Sequence, residues 1–239
     1  MLLFVVLVAG AAGASARDEA VVRRQVAEEA AAETGVVGLY VAFDDRALDP
    51  YAMAACDDDG DPVVVISEAL LTLVDDVSTT IANDAATGGK TTDAYASFLA
   101  AEQRPRARLL APPPGTFDRR AAPVIGARAA AAFVDIVRWI VAREAALHAL
   151  GFVACPAPTA THEAGDAVWT DDERARAFAA ARTRAQKEGA AGARAADRFA
   201  DERARDRGPE SDATRAAFRA FIDRARPALG VYAALHPRP

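Results

Sequence analysis

The stretch "PVVVISEALLTLVDDVSTTIANDA", Pro62 to Ala85, changes its period in the middle. Pro62 to Ser67 is a short β-branched run, the composition of a strand. From Glu68 onward Leu70, Leu73 and Val77 recur at helical spacing, and Ser67 stands where a hydroxyl can cap the new helix. Two more strand candidates lie just upstream, Val36–Asp45 and Tyr51–Cys56, the second separated from Pro62 by the turn "DDDGD". Short connections predict that the three runs pair as a small antiparallel sheet.

Everything else reads as helix or loop. Arg17–Thr34 alternates Ala and Val with Arg and Glu, a surface helix closed by Gly35. "GGK" at 88–90 interrupts the chain and lacks the upstream glycine of a phosphate loop; a helix from about Thr92 to Glu102 follows it. Residues 104–124 are rich in Pro and Arg and predict a surface loop within the domain. A long helix from about Ala127 to Leu150 places Phe133, Ile136, Ile140 and Leu147 at helical intervals, and Gly151 stops it. Phe152–Trp169 reads as a loop, and Thr170 with Glu173 forms a capping box for the next helix, which Gly189 and Gly192 soften or split. A last helix spans about Ser211 to Arg226. The fold class is therefore α+β, mostly helical, with one three-stranded antiparallel sheet, in a single domain over residues 17–239.

The chain has 239 residues, 52% of them hydrophobic and 26% charged, with a formal net charge of −6. That acidic balance disfavours nucleic acid as a partner, which calls for a basic face. The start, "MLLFVVLVAGAAGASARDEA", has an apolar run Leu2–Val8 and the pair Ala14 and Ala16 in A-x-A spacing. It predicts a signal peptide over 1–16, cleavage before Arg17, a periplasmic or secreted location, and no stable membrane span afterwards. No Lys or Arg precedes the apolar run. Two cysteines, Cys56 and Cys155, exclude a disulfide-dense scaffold and leave open either one bridge or two buried thiols.

The chemistry-bearing residues are few. Glu144 and His148 lie four apart on the long helix and share a face, which reads as an intrahelical polar pair rather than as a metal site lacking its third ligand. "HEAGD", His162–Asp166, contains half of a zinc motif but has Gly165 inside it, so it reads as loop.

In order along the chain come "GLYVAF", "LDPYAMAAC", "DPVVVISEALLTLVDD", a buried helix, "AADRFA" and, near the end, "LHP". Together, over roughly Gly35 to Pro237, they resemble the zinc metallopeptidase family of CAAX-prenyl endopeptidases, HtpX-like membrane proteases and exported periplasmic relatives. That family carries H-E-x-x-H on the buried helix. The resemblance lays it on "REAAL", Arg143–Leu147, keeping the general base as Glu144 and replacing the two histidine ligands by Arg143 and Leu147. The third ligand position, four residues before Asp197, is Ala193, and His236 matches the His of the family's downstream His-Pro. Leu147 and Ala193 offer zinc no donor atom, Arg143 brings a fixed positive charge suited to pairing with a carboxylate, and His148 points about 100 degrees away from the second ligand position.

The resemblance thus implies a catalytically inactive homologue, a pseudo-peptidase without bound zinc, whose cleft is left as a groove for a peptide or protein or as a structural relic. Two alternatives stand beside it: an exported zinc metalloendopeptidase with unorthodox ligands such as Glu144, His148 and His162 or Asp197, and an exported helical structural or binding protein of unrelated function. The family-like layout also implies that Cys56, ending the second strand, meets Cys155, four residues past the stop of the helix bearing Glu144, in a disulfide.

Overall fold

The computed structural model describes residues 16–116, 123–156 and 171–236. The apolar run Leu2–Val8, the motif at His162–Asp166, the capping residue Thr170 and Pro237 lie outside the described residues. The described chain is mostly helical, with one three-stranded sheet packed against the helical body.

Helix α1 (Ala16–Glu33) leads to strands β1 (Tyr40–Asp44), β2 (Ala52–Cys56) and β3 (Pro62–Ser67). β3 runs directly into α2 (Glu68–Thr87), and the Leu70 amide donates to Ser67 Oγ at 3.2 Å, so the expected cap is in place. Helices α3 (Thr91–Glu102), α4 (Pro123–Ala149), α5 (Asp171–Ala204), α6 (Pro209–Ala225) and α7 (Gly230–Leu235) complete the order. The sequence reading left the segment around α7 without an element.

β2 and β3 form the expected antiparallel hairpin, with Ala52 opposite Ile66 and Cys56 opposite Pro62. β1 departs from expectation. It runs parallel to β3, with Tyr40 opposite Val63 and Asp44 opposite Ser67, and the strand order is β1-β3-β2. The all-buried, β-branched β3 takes the centre, where both of its backbone edges are paired. The link from β1 to β2 therefore passes around the C-terminal end of β3. Asp44 holds it there, accepting from the amides of Arg46 and Ala47 at 3.0 and 3.1 Å and from the Tyr51 hydroxyl at 2.5 Å. A short link in sequence need not join neighbours in a sheet, and that was the error in the all-antiparallel expectation.

The two faces of the sheet bury different partners, as side-chain alternation requires. Val41, Ala52, Val64 and Ile66 face the main core, built from α2 (Leu70, Leu73, Val77), α4 (Ile136, Val137, Ile140) and α6 (Phe218, Phe221). Tyr40, Ala42, Met53, Val63 and Val65 face the first half of α5, where Ala181 and Phe178 cover them. Helix α4 is the central element, packed against α1, α2, α5, α6 and the sheet. Gly189, at φ 49° and ψ −141°, breaks α5 in two. The part before it crosses the sheet, and Ala193, Ala196 and Ala200 are buried in the part after it. Among the described residues no helix is long and apolar enough to cross a membrane.

The predicted disulfide is present: Cys56 Sγ is bonded to Cys155 Sγ, tying the end of β2 to the segment after α4. The turn between β2 and β3 packs against that segment. Gly60 sits at φ +84°, and a Cβ there would come within 3.1 Å of the Pro156 ring.

Candidate functional site

Two consecutive charged residues, Arg143 and Glu144, lie in the fully buried part of α4, with side chains 5% and 3% exposed. A charge in such surroundings must be paired. Arg143 Nε donates to Asp197 Oδ1 on α5 at 2.6 Å, and its Nη1 donates to Glu144 Oε1 at 3.2 Å. The same Nη1 contacts His236 Nδ1, just past α7. One guanidinium thus serves its own neighbour on α4 and acceptors from two segments distant in sequence.

These contacts fix the imidazole's state. A guanidinium has no acceptor, so His236 Nδ1 takes the hydrogen bond and the ring proton resides on Nε2. Nε2 lies 3.3 Å from the Ala52 carbonyl oxygen and 3.3 Å from Glu144 Oε1. Burial, helped by the charge of Arg143, holds His236 well below the usual imidazole range, so the ring is neutral. Tyr232, one turn back, stacks on it with centroids 4.1 Å apart. Glu144 is shifted the other way. Burial pushes its pKa up to about 7, against the opposing pull of Arg143 and of the Ala54 amide.

The cluster also closes the outer edge of β2. Alternate residues of an edge strand point N–H and C=O away from the sheet. Here the Ala54 amide donates to Glu144 Oε2 at 3.1 Å, the Ala54 carbonyl accepts from Arg184 Nη1 at 3.3 Å, and the Ala52 carbonyl faces His236 Nε2. Helix α5 brings Arg184 into place, held by Arg174 Nε 2.6 Å from Asp44 Oδ2 and by the edge-on contact of Phe178 with Tyr51 at 4.6 Å.

Arg143, Glu144, Leu147 and Ala193 line one cavity together with Ala54 and Arg184. Its volume is about 40 Å³, room for a few waters at most. Zinc does not fit this donor set: Leu147 and Ala193 present only carbon, and the acceptors that remain, Glu144, Asp197 and His236, all engage the guanidinium of Arg143. Among the described residues no group of three or more His, Cys, Asp or Glu side chains is arranged to hold a metal ion.

The expected intrahelical pair of Glu144 with His148 does not form. Glu144 turns to Ala54, Arg143 and His236, while His148 Nε2 faces the Val63 carbonyl at 3.4 Å and its Nδ1 lies 3.8 Å from Cys155 Sγ. Spacing put both residues on one face, but β2 and β3 separate their partners. Sequence reasoning also missed Arg184 and Tyr232. The four-residue interval from Tyr232 to His236 could have suggested a shared helical face; nothing local marked Arg184 as reaching β2.

No family model, curated protein or solved structure matches the chain.

Proposed function

We propose that this chain is a non-catalytic protein built on a metallopeptidase-like scaffold, in which the cation needed between α4, α5 and the C-terminal segment is the guanidinium of Arg143 rather than a metal ion. The observation that carries the reading is the convergence of Glu144 Oε1, Asp197 Oδ1 and His236 Nδ1 on that one group. It is supported by the small cavity in which Arg143, Leu147 and Ala193, the three positions the family resemblance assigns to metal ligands, come together beside Glu144. A carboxylate without a metal-bound water has nothing to activate for peptide hydrolysis. A peptide or protein partner fits poorly in a cleft of about 40 Å³; the neighbouring cavity of about 420 Å³, at the Cys56 end of β2, has the size of a ligand site. From the apolar run Leu2–Val8 and the A-x-A spacing of Ala14 and Ala16 we further propose that the mature chain begins at Arg17 and lies outside the cytoplasm, which mass spectrometry of the protein from its own host checks directly.

The test is a gain of function. The combined variant Arg143→His, Leu147→His and Ala193→Glu should bind about one zinc per chain, and chelation should lower its Tm. The unmodified chain should bind none. A folded triple variant that captures no zinc, or stoichiometric zinc in the unmodified chain, overturns the proposal.

A further inference from the structure

Cys56 and Cys155 differ in their surroundings. Cys56 lines the cavity of about 420 Å³, in company with Asp57, Phe152, Ala154 and Arg184. Cys155 lies on the other side of the bond, with His148 Nδ1 3.8 Å from its sulfur. Both cysteines are half-buried. The cavity thus meets the bridge at Cys56, and the imidazole meets it at Cys155.

In thiol–disulfide exchange a thiolate attacks one sulfur, and the other sulfur leaves as a thiolate. We infer that Cys56, Cys155 and His148 form a thiol–disulfide exchange site, open to small thiols through this cavity, with Cys56 the sulfur attacked and Cys155 the sulfur that leaves. The inference does not depend on the metallopeptidase reading.

In the oxidised protein the imidazole on the leaving side carries no charge. Burial lowers its pKa, outweighing the carbonyls of Val63 and Val153, which favour the charged form, while Arg184 adds to the lowering. The ring is therefore neutral. Nε2 faces the Val63 carbonyl and Nδ1 faces Cys155; in the tautomer with its proton on Nε2, the bare Nδ1 is free to accept a proton. A thiol RSH ionises, and its sulfur forms a bond to Cys56 Sγ. The Cys56–Cys155 bond breaks, and its electron pair goes to Cys155. The proton given up by RSH ends on His148 Nδ1, leaving a Cys155 thiolate beside an imidazolium whose Nε2–H still donates to Val63. A second RSH ionises and attacks the sulfur of the first R group; the bond from that sulfur to Cys56 Sγ breaks, Cys56 takes the proton and leaves as a thiol, and RSSR departs. The sum is two RSH oxidised to one RSSR and one protein disulfide reduced to two thiols.

Such a site differs from a buried structural bridge in three readouts. Reduction of the native full chain by β-mercaptoethanol should be first order in thiol up to high concentration; a rate that levels off at the unfolding rate refutes access through the cavity. Alkylation quenching followed by peptide mass spectrometry should find the mixed disulfide on Cys56; finding it on Cys155 reverses the assignment and overturns the proposal. His148→Gln should slow reduction at neutral pH at least about fivefold, as expected from loss of leaving-group stabilisation, and an unchanged rate overturns the role of His148. The Cys56→Ser variant keeps the test independent of bridge formation. Its Cys155 should show thiolate absorbance near neutral pH, and that absorbance should disappear on adding His148→Gln; a Cys155 that ionises like a free thiol in both contradicts the proposal.

Discussion

Arg143 Nε and Asp197 Oδ1 stand 2.6 Å apart, joining the central helix α4 to the second half of α5 through a guanidinium only 5% exposed. A bidentate-capable cation at this depth is worth little as a net gain over an apolar core, yet its removal leaves several acceptors stranded. Arg143→Ala should lower stability by about 3–5 kcal/mol, the range for breaking one side of a buried pair. Urea denaturation checks it. A loss below about 1 kcal/mol, the scale of an exposed ion pair, would mean that Glu144, Asp197 and His236 do not depend on Arg143.

Glu144 gives the fold a dependence on pH of definite sign. Its folded pKa, about 7, lies above the ordinary 4.5. Between those values the folded state holds a proton that the unfolded state has lost, so stability falls as pH rises through this window. The difference in unfolding free energy between wild type and Glu144→Gln should therefore shift against wild type from about pH 4.5 to 7, by roughly 3–4 kcal/mol at about 1.4 kcal/mol per unit, and level off above it. A difference that grows in favour of wild type with rising pH would reverse the assignment.

His236 works in the opposite direction. Its folded pKa is held well below 6.5, so below that pH the unfolded chain takes up a proton that the folded chain refuses. Stability is lost as pH falls beneath 6.5, and His236→Gln should flatten that decline. Denaturation midpoints of wild type and variant measured from pH 4 to 8 decide the matter.

Gly60 is the position where backbone and packing both resist a side chain, with φ at +84° and Pro156 Cβ 3.1 Å from the place of a new Cβ. Gly60→Ala should cost about 1–3 kcal/mol, the scale of a residue forced into a sparsely populated backbone region. The control Gly88→Ala has a similar φ of +70° and nothing within 4 Å, so comparing their melting temperatures separates strain from contact.

The double variant Cys56→Ala, Cys155→Ala removes a bridge between residues 99 apart in sequence. The chain-entropy account sets its upper contribution at about 4–5 kcal/mol. Calorimetry should show a lower Tm with the fold intact.

The local elements were legible because their signals are local. Ser67 announces the start of α2 and Gly189 the break in α5, since each acts on its own backbone. The strand order was not legible. What decides that β3 lies between β1 and β2 is the burial of all six β3 residues, a property of the assembled sheet. The site was half legible. Arg143, Glu144, Asp197 and His236 could be singled out along the chain, but their union depends on three helices and the edge of a strand meeting at one guanidinium, and no spacing encodes that.

The outer edge of β2 has a consequence for the protein in crowded solution. An unpaired strand edge is a template on which another copy can grow, and the amides and carbonyls that do the recruiting are the same ones at Ala52 and Ala54 that Glu144, Arg184 and His236 occupy. Side chains in those positions cannot be extended into a continuous ladder by a second chain. A chain as rich in alanine as this one, with β2 reading "AMAAC", is thereby kept from stacking edge to edge into fibres, and the cluster in its interior also acts as a guard against self-assembly.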